Sequence, residues 1–163
     1  MHSARTIFRE PEGSARPPDV DMLVVGAGNM GLMAAHEFLQ VGATVQVLEK
    51  SAEALGCWRT AANKTSHVAV TEPSYRYPSA GGEQLSDYTS RDEVLEAGSR
   101  FIAEHGLDQL INYNCDVVDV TWVSSSPPRA RVTFRDTKTH HVSVVHSRGV
   151  YLALGAQAKP REL

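Results

Sequence analysis

The pattern of apolar and polar positions predicts a strand–helix–strand unit near the start of the chain. Residues 21–25 are a short apolar run that stops at Gly26, which is typical of a buried parallel strand. Residues 44–48 form a second such run, preceded by a helix stop at Gly42. Between the two runs, apolar residues recur at helical spacing: Met30, Met33, Ala34, Phe38 and Val41. This order predicts one βαβ unit with a right-handed crossover.

The rest of the chain divides into a long aperiodic segment, a second helix and a run of strands. Residues 51–89 show little periodicity, and segments of that kind inside compact domains are usually functional. The sequence Ser90-Arg-Asp-Glu93 is typical of a capping box, and it predicts a helix that ends at Gly106. The strands predicted beyond this helix are 111–114, 117–123, 130–135, 142–146 and 149–154. Three of these in succession, from residue 117 onward, suggest a β-meander.

These elements predict a flexible tail over residues 1–19 and one α/β domain over residues 20–163. The tail is rich in Pro and Arg without periodicity, and its acidic residues make a targeting peptide the less favoured alternative. The domain is predicted to be Rossmann-like and three-layered, with helices on a parallel sheet and a β-meander across one face. The strands expected in the parallel sheet lie near Leu23, Val45, Asn112 and Leu152.

Composition and charge narrow the classes of function. The net charge of -3 argues against a nucleic-acid or membrane-surface role, since both need a basic face. No apolar run approaches the roughly 20 residues of a membrane helix. The separation of Cys57 from Cys115 excludes a CxxC redox pair, and His140-His141 has no third metal ligand nearby. We therefore expect a cytoplasmic protein that binds small molecules and holds no metal.

The sequence Gly26-Ala-Gly-Asn-Met-Gly31 is typical of a turn that binds a pyrophosphate. Gly26 allows the tight turn after the strand, Gly28 lets the backbone approach the phosphates, and Gly31 lets the helix pack closely on the sheet. The helix N-terminus offers amide donors and a positive dipole end to the anion. We expect Asn29 or Met30 to supply such amides.

Glu49 completes the dinucleotide-binding pattern. It ends the second predicted strand, where an acid accepts hydrogen bonds from ribose hydroxyls. Its carboxylate would repel a 2′-phosphate, which favours FAD or NAD over NADP at this site. A GxGxxG turn alone is weak evidence, but here it lies between a strand and a helix with an acid at the expected distance. A purely structural glycine turn is the less favoured alternative.

The segment after Glu49, Lys50-Ser-Ala-Glu-Ala-Leu-Gly-Cys-Trp-Arg59, resembles that of flavin-containing monooxygenases and the related Baeyer–Villiger monooxygenases. Those families carry Gly-Gly-x-Trp here, so one glycine is displaced or lost. Asn114-Cys-Asp-Val-Val-Asp-Val120 is similar to the strand whose Val, Val117 here, contacts adenine through its backbone. Residues 152–160, with Gly155, are similar to the Ala-Thr-Gly-x-x-x-x-Pro segment of these families. The resemblance spans roughly residues 21–163.

This resemblance implies the FAD-binding part of an enzyme that uses NADPH and O₂ to oxygenate a soft nitrogen, a sulfur or a ketone. Because the cofactor carries the chemistry, we name no catalytic residue. The resemblance adds six residues to the expected FAD site: Lys50, Gly56, Trp58, Arg59, Val117 and Gly155. Trp58 can equally be a loop-anchoring aromatic residue, and Arg59 can equally be a solvated surface residue.

The sequence departs from these families in two motifs. It has neither their second GxGxxG, which binds NADPH, nor their Phe-x-Gly-x-x-x-His fingerprint. We therefore expect either a fragment or a genuinely shortened protein of the two-dinucleotide type, whose NADPH-binding half is missing or supplied by a partner or oligomer. Two alternatives stay open: another FAD-dependent oxidoreductase of this type, and a truncated nucleotide-binding module without catalysis.

Overall fold

Six strands and three α-helices are observed in the computed structural model, which describes residues 19–70, 75–77 and 85–155. Apart from residue 19, the predicted tail lies outside these ranges, as do residues 156–163 of the predicted domain. In chain order, the elements are β1 (Val20–Val25), α1 (Asn29–Gln40), β2 (Val45–Leu48), the single turn α2 (Cys57–Thr60), α3 (Arg91–Glu104), a 3₁₀ turn (Leu107–Leu110), β3 (Ile111–Asn112), β4 (Cys115–Ser125), β5 (Pro128–Asp136) and β6 (Val142–Leu152).

The six strands form one mixed sheet in the order β3-β2-β1-β6-β5-β4. Strand β1 pairs in parallel with β2 and with β6, and β2 pairs in parallel with β3. Strand β5 is antiparallel to both β4 and β6, which makes β4–β6 the β-meander. The predicted parallel strands near Leu23, Val45, Asn112 and Leu152 are confirmed.

The prediction of two separate strands over residues 142–146 and 149–154 was wrong. They belong to one strand, Val142–Leu152, which joins the meander to the parallel sheet. Its first half pairs with β5 and its second half with β1. Ser147 lies where the two pairings meet, opposite Ala130 of β5 and Val20 of β1. Ser147 is therefore held in the sheet by neighbours on both sides.

Two apolar cores lie on opposite faces of the sheet and establish the three layers. Adjacent residues of a strand point to opposite faces, and Leu23 and Val24 of β1 accordingly belong to different cores. The core that contains Val24 lies under the helices and includes Leu32, Val47, Leu55 and Phe101. The core that contains Leu23 lies under the meander and includes Leu48, Cys115, Val132, Phe134 and Val145. The predicted Rossmann-like architecture, with a meander across one face, is confirmed.

The buried face of α1 differs from the predicted one at both ends of the helix. Met30 is 61% exposed and Val41 is 79% exposed, although the periodicity placed both inside. The buried residues of α1 are Gly31, Leu32, Ala35 and His36. His36 packs against the rings of Phe101 and His105, which a count of apolar residues does not anticipate. The contact surface of the helix is therefore set by its neighbours.

Helix α3 begins with the predicted capping box. The Ser90 hydroxyl accepts a hydrogen bond from the Glu93 amide, and the Glu93 carboxylate accepts one from the Ser90 amide at 2.9 Å. Hydrogen bonds from Ser86, and then from Ser90, lower the pKa of Glu93 to about 2. The helix stops before Gly106, which has a φ of 62°. Both predicted ends of this helix are confirmed.

We expect Ser90→Ala to lower the free energy of unfolding by about 1 kcal/mol, because it removes the oxygen that accepts the Glu93 amide hydrogen bond. Ser99→Ala, on an exposed position of the same helix, is the matched control and should change it by less than about 0.5 kcal/mol. Urea denaturation followed by circular dichroism measures both changes. Equal effects of the two substitutions would contradict a stabilising role for the cap.

Candidate dinucleotide-binding site

The predicted glycine turn, Glu49 and Gly155 all lie at the carboxyl ends of parallel strands. Gly26 follows β1, Glu49 follows β2, and Gly155 lies just beyond β6. The Gly26 amide donates to the carbonyl oxygen of Leu48 at 2.8 Å, and the Ala153 amide donates to that of Val25 at 2.8 Å. The turn after β1 is therefore held between its two neighbours, at the edge where ligands of open α/β sheets bind.

Gly26 and Gly31 are required by the packing of the turn itself. Gly26 has a φ of 102°, and a Cβ there would overlap the carbonyl oxygen of Ala153. A Cβ on Gly31 would overlap the carbonyl oxygen of Gly26. The first turn of α1 therefore packs directly against the turn that precedes it, and neither position has room for a side chain.

Gly28 differs from these two glycines, because no neighbouring group of the protein fills the space where its side chain would be. Its φ of -73° suits any residue, and the nearest heavy atom to an added Cβ is the Gly56 Cα, at 4.0 Å. Gly56 has a φ of 52° and is the N-cap residue of α2. A hydrogen bond of 2.8 Å from the Leu55 amide to the Ala27 carbonyl oxygen joins the two turns. The two glycine turns, at Gly28 and Gly56, therefore face each other, and the backbone at Gly28 is partly exposed.

No side-chain cap from the described residues is bound at the N-terminus of α1. Its N-cap residue, Gly28, offers no side chain, and the first turn contains no acidic residue. Helix α3 is the contrast, since Ser90 caps it and Asp92 and Glu93 lie in its first turn. The first amides of a helix have no partner inside the helix. At α1 these donors and the positive end of the helix dipole are therefore available to an anion.

Glu49 is buried beside the glycine turn, at 7% exposure, and its carboxylate is held by two main-chain amides. Oε2 accepts a hydrogen bond from Ala27 and Oε1 accepts one from Ser51, both at 2.7 Å. Because each carboxylate oxygen can accept about two hydrogen bonds, each retains the capacity for one more. The carboxylate is thus fixed in position and is able to accept hydrogen bonds from the hydroxyls of a ribose.

Lys50 and Val117 lie near Glu49 through the start of β4. The Cys115 amide donates to the Glu49 carbonyl oxygen at 2.8 Å and so attaches β4 to the end of β2. Lys50 is largely exposed, and its Nζ lies 3.6 Å from Oδ1 of Asp116. Val117 is half-buried and lies at an irregularity in the pairing of β4 with β5. Their predicted contacts with the cofactor stay predictions.

Trp58 and Arg59 belong to α2, directly after Gly56. The Trp58 ring packs edge-on against Tyr75, with ring centres 5.5 Å apart. Arg59 is exposed, and its Nε lies 3.4 Å from Oε2 of Glu53. Both are therefore close in sequence to Gly56, and their side chains contact other residues of the aperiodic segment, residues 51–89. Their predicted roles at the cofactor also stay predictions.

Sequence analysis missed three contributions to this site. The amides of Ala27 and Ser51 orient Glu49, and neither residue type suggests that function. The side chain of Asn29 was not predicted either, since the glycine motif implicates only its amide. Its Oδ1 is buried and has no hydrogen-bond partner among the described residues. The only sequence signal for it is a carboxamide inside the glycine turn.

Comparisons with known proteins agree with this geometry. A family model described as an NAD(P)-binding Rossmann-like domain matches residues 24–91. The crystal structure of OTEMO in complex with FAD and NADP matches with a TM-score of 0.76 and 22% identity, over 91% of this chain and 28% of the other. Oxidized steroid monooxygenase bound to NADP matches with a TM-score of 0.71 and 24% identity, over 85% of this chain and 26% of the other. A cyclohexanone monooxygenase mutant from Rhodococcus sp. Phi1 bound to NADP+ matches with a TM-score of 0.73 and 20% identity, over 90% of this chain and 28% of the other.

These matches establish the fold. The chain shares the fold of part of these monooxygenases, and it spans about 28% of the length of the first of them. Within the described ranges, none of the helices has the length and apolar character needed to cross a bilayer. The same ranges contain no cluster of three or more side chains suited to bind a metal ion.

The different surroundings of Gly31 and Gly28 predict different effects of an added methyl group. We expect Gly31→Ala to destabilise the protein by about 3 kcal/mol, because the Cβ meets the main chain of Gly26. Gly28→Ala should change the free energy of unfolding by less than about 1 kcal/mol, since its Cβ would meet no close neighbour. Urea denaturation of the two variants tests this difference, and a larger loss in Gly28→Ala would contradict it.

Proposed function

We propose that this chain is the FAD-binding part of an NADPH- and O₂-dependent flavin monooxygenase that oxygenates a soft nitrogen, a sulfur or a ketone substrate. The observation that carries the proposal is the accessible backbone at Gly28, next to the uncapped start of α1 and the buried carboxylate of Glu49. One dinucleotide needs all three features, and the fold brings them to one edge of the sheet.

The pyrophosphate fits the glycine turn. Gly28 leaves room for an anion, and the amides of Asn29 and Met30 are in the first turn of α1, where donors have no partner inside the helix. The high exposure of Met30 is consistent with a position beside a ligand. Gly56 packs against Gly28 beside this space. These residues would hold the pyrophosphate of FAD.

The adenosine ribose fits Glu49. Its oriented carboxylate would accept hydrogen bonds from the ribose hydroxyls, and Lys50 and Val117 are the adjoining residues at the ends of β2 and β4. A phosphate on the ribose would meet a buried negative charge, which is strongly unfavourable. FAD therefore suits this site better than NADP.

The assignment to a monooxygenase is supported by the segment Gly56-Cys-Trp-Arg59 and by the shared fold. OTEMO was crystallised with both FAD and NADP, and the other two matched proteins are a steroid and a cyclohexanone monooxygenase. When bound and reduced by NADPH, FAD would supply the oxygen chemistry, while residues of this chain bind and orient it. The chain spans about 28% of the OTEMO chain, and the residues named here are assigned to FAD alone.

NAD is the second candidate ligand for the same site. The family model matched by residues 24–91 is described as NAD(P)-binding, and Glu49 would accept the hydroxyls of an NAD ribose equally well. The two ligands differ beyond the pyrophosphate, where FAD carries a flavin. The visible absorption of a retained flavin therefore distinguishes FAD from NAD.

We expect the purified chain to retain FAD after addition of the cofactor and desalting, and to show the visible absorption of a bound flavin. FAD should quench the fluorescence of Trp58, which follows the second glycine turn, more than that of Trp122 on β4. Trp58→Phe should therefore remove most of the quenching, and Trp122→Phe, the matched control, should preserve it. Binding of NAD or ADP without retention of FAD would refute the flavin assignment. Failure to bind any of the three would refute the nucleotide site.

We expect Gly28→Ala to weaken FAD binding at least about tenfold, because the added methyl group would occupy the space assigned to the pyrophosphate. Gly42→Ala, in the turn after the other end of α1, should leave the affinity unchanged and is the control for effects on the helix. Fluorescence titration measures both dissociation constants. Equal affinities for the Gly28→Ala variant and the wild-type chain would contradict the proposed position of the pyrophosphate.

A further inference from the structure

The side chain of Asn29 contains an unpaired acceptor at the proposed nucleotide site. Asn29 is the first residue of α1, directly after Gly28. Its Oδ1 is shielded from solvent, and none of the described residues donates a hydrogen bond to it. Buried carbonyl oxygens nearly always have a donor, and an unpaired one is unfavourable. Since none of the described residues supplies a donor, an acceptor of this kind in the turn assigned to a ligand points to a donor on that ligand.

Other buried polar atoms without a partner lie away from the glycine turns. The Tyr77 hydroxyl is in the core under the helices, where it would be 2.9 Å from a Cβ added to Gly98. Ser147 Oγ lies in β6, at the junction of its pairings with β1 and β5. Among such atoms, Asn29 Oδ1 is the one in the turn assigned to the pyrophosphate.

We propose that Asn29 binds the dinucleotide through its side chain as well as its amide, and that Oδ1 accepts a hydrogen bond from a hydroxyl group of the ligand beyond the pyrophosphate. This inference rests on the proposed function. A pyrophosphate is fully ionised near neutral pH and has no proton to donate. The adenosine ribose hydroxyls are assigned to Glu49, on the other side of the pyrophosphate. The remaining donors are the hydroxyls of the linker that carries the redox ring, which are the ribityl chain in FAD and the second ribose in NAD.

Two other arrangements of the same side chain lead to different results. The oxygen and nitrogen of a carboxamide can exchange places by a rotation, and Nδ2 would then donate to a phosphate oxygen. Alternatively, an ordered water can satisfy Oδ1 and leave the ligand without any contact to it. In the three arrangements the Asn29 side chain contacts a hydroxyl of the ligand, a phosphate oxygen of the ligand, or no part of the ligand.

The test measures the dissociation constants of FAD, ADP-ribose and ADP for the full wild-type chain and for Asn29→Ala. ADP-ribose has hydroxyls beyond the pyrophosphate, whereas ADP ends at the pyrophosphate. We expect the substitution to weaken FAD and ADP-ribose roughly three- to tenfold, the range for one net hydrogen bond, and to leave ADP unchanged. Asn29→Ser, whose hydroxyl is too short to replace the carboxamide, should reproduce this result. Alanine and serine are both tolerated at the start of a helix, and thermal melts verify that the variants are folded.

Each other outcome overturns the inference in a recognisable way. Equal weakening of all three ligands would show that Asn29 acts on the phosphates. Unchanged affinities for all three would show that the side chain does not contact the ligand. In both cases the wild-type chain still binds FAD, so the proposed function stands. A wild-type chain that binds neither ADP nor FAD would instead overturn the proposed function, and the inference with it.

Discussion

The hydrogen bonds of Glu49 are the interactions on which the rest of the structure depends. A buried carboxylate is strongly unfavourable unless donors surround it, and here the amides of Ala27 and Ser51 provide them. The Glu49 amide donates a hydrogen bond to the Asn112 carbonyl oxygen, and the Glu49 carbonyl oxygen accepts one from the Cys115 amide. One residue therefore connects the glycine turn, the aperiodic segment, β3 and β4. The acid that suits a ribose is also the point where four parts of the chain meet.

The glycine turn divides its residues between the fold and the ligand. Gly26 and Gly31 have no room for a Cβ because the protein's own main chain fills the space, and these residues would be required in the absence of any ligand. Gly28 has that room, so the packing of the protein does not explain its identity. Under the proposed function, a turn that is close-packed on one side and accessible on the other would already have its bound shape before the ligand arrives. This would reduce the conformational entropy that binding must remove.

Local patterns were sufficient to predict the βαβ unit, the capping box at Ser90 and the position of Glu49, because each depends on residues that are near one another in sequence. Strand β6 could not be predicted as one strand, since its middle is stabilised by Ala130 and Val20, which are distant in the chain. The exposure of Met30 and the orphaned oxygen of Asn29 are likewise set by the tertiary structure. The site was thus predictable where a motif defines it, and unpredictable where side-chain burial does.

Under the proposed function, Glu49 also determines which dinucleotides can share one site. Its carboxylate is held in place by amides that belong to the fold, so it cannot move away to admit a phosphorylated ribose without breaking those hydrogen bonds. Under the proposed function, FAD and NADPH must then occupy different sites, although both are dinucleotides. OTEMO was crystallised with FAD and NADP together, and this chain matches 28% of its length. Within the described ranges, Glu49 and the turn from Gly26 to Gly31 form a candidate site that suits one dinucleotide, and a phosphorylated ribose would need a site without such an acid.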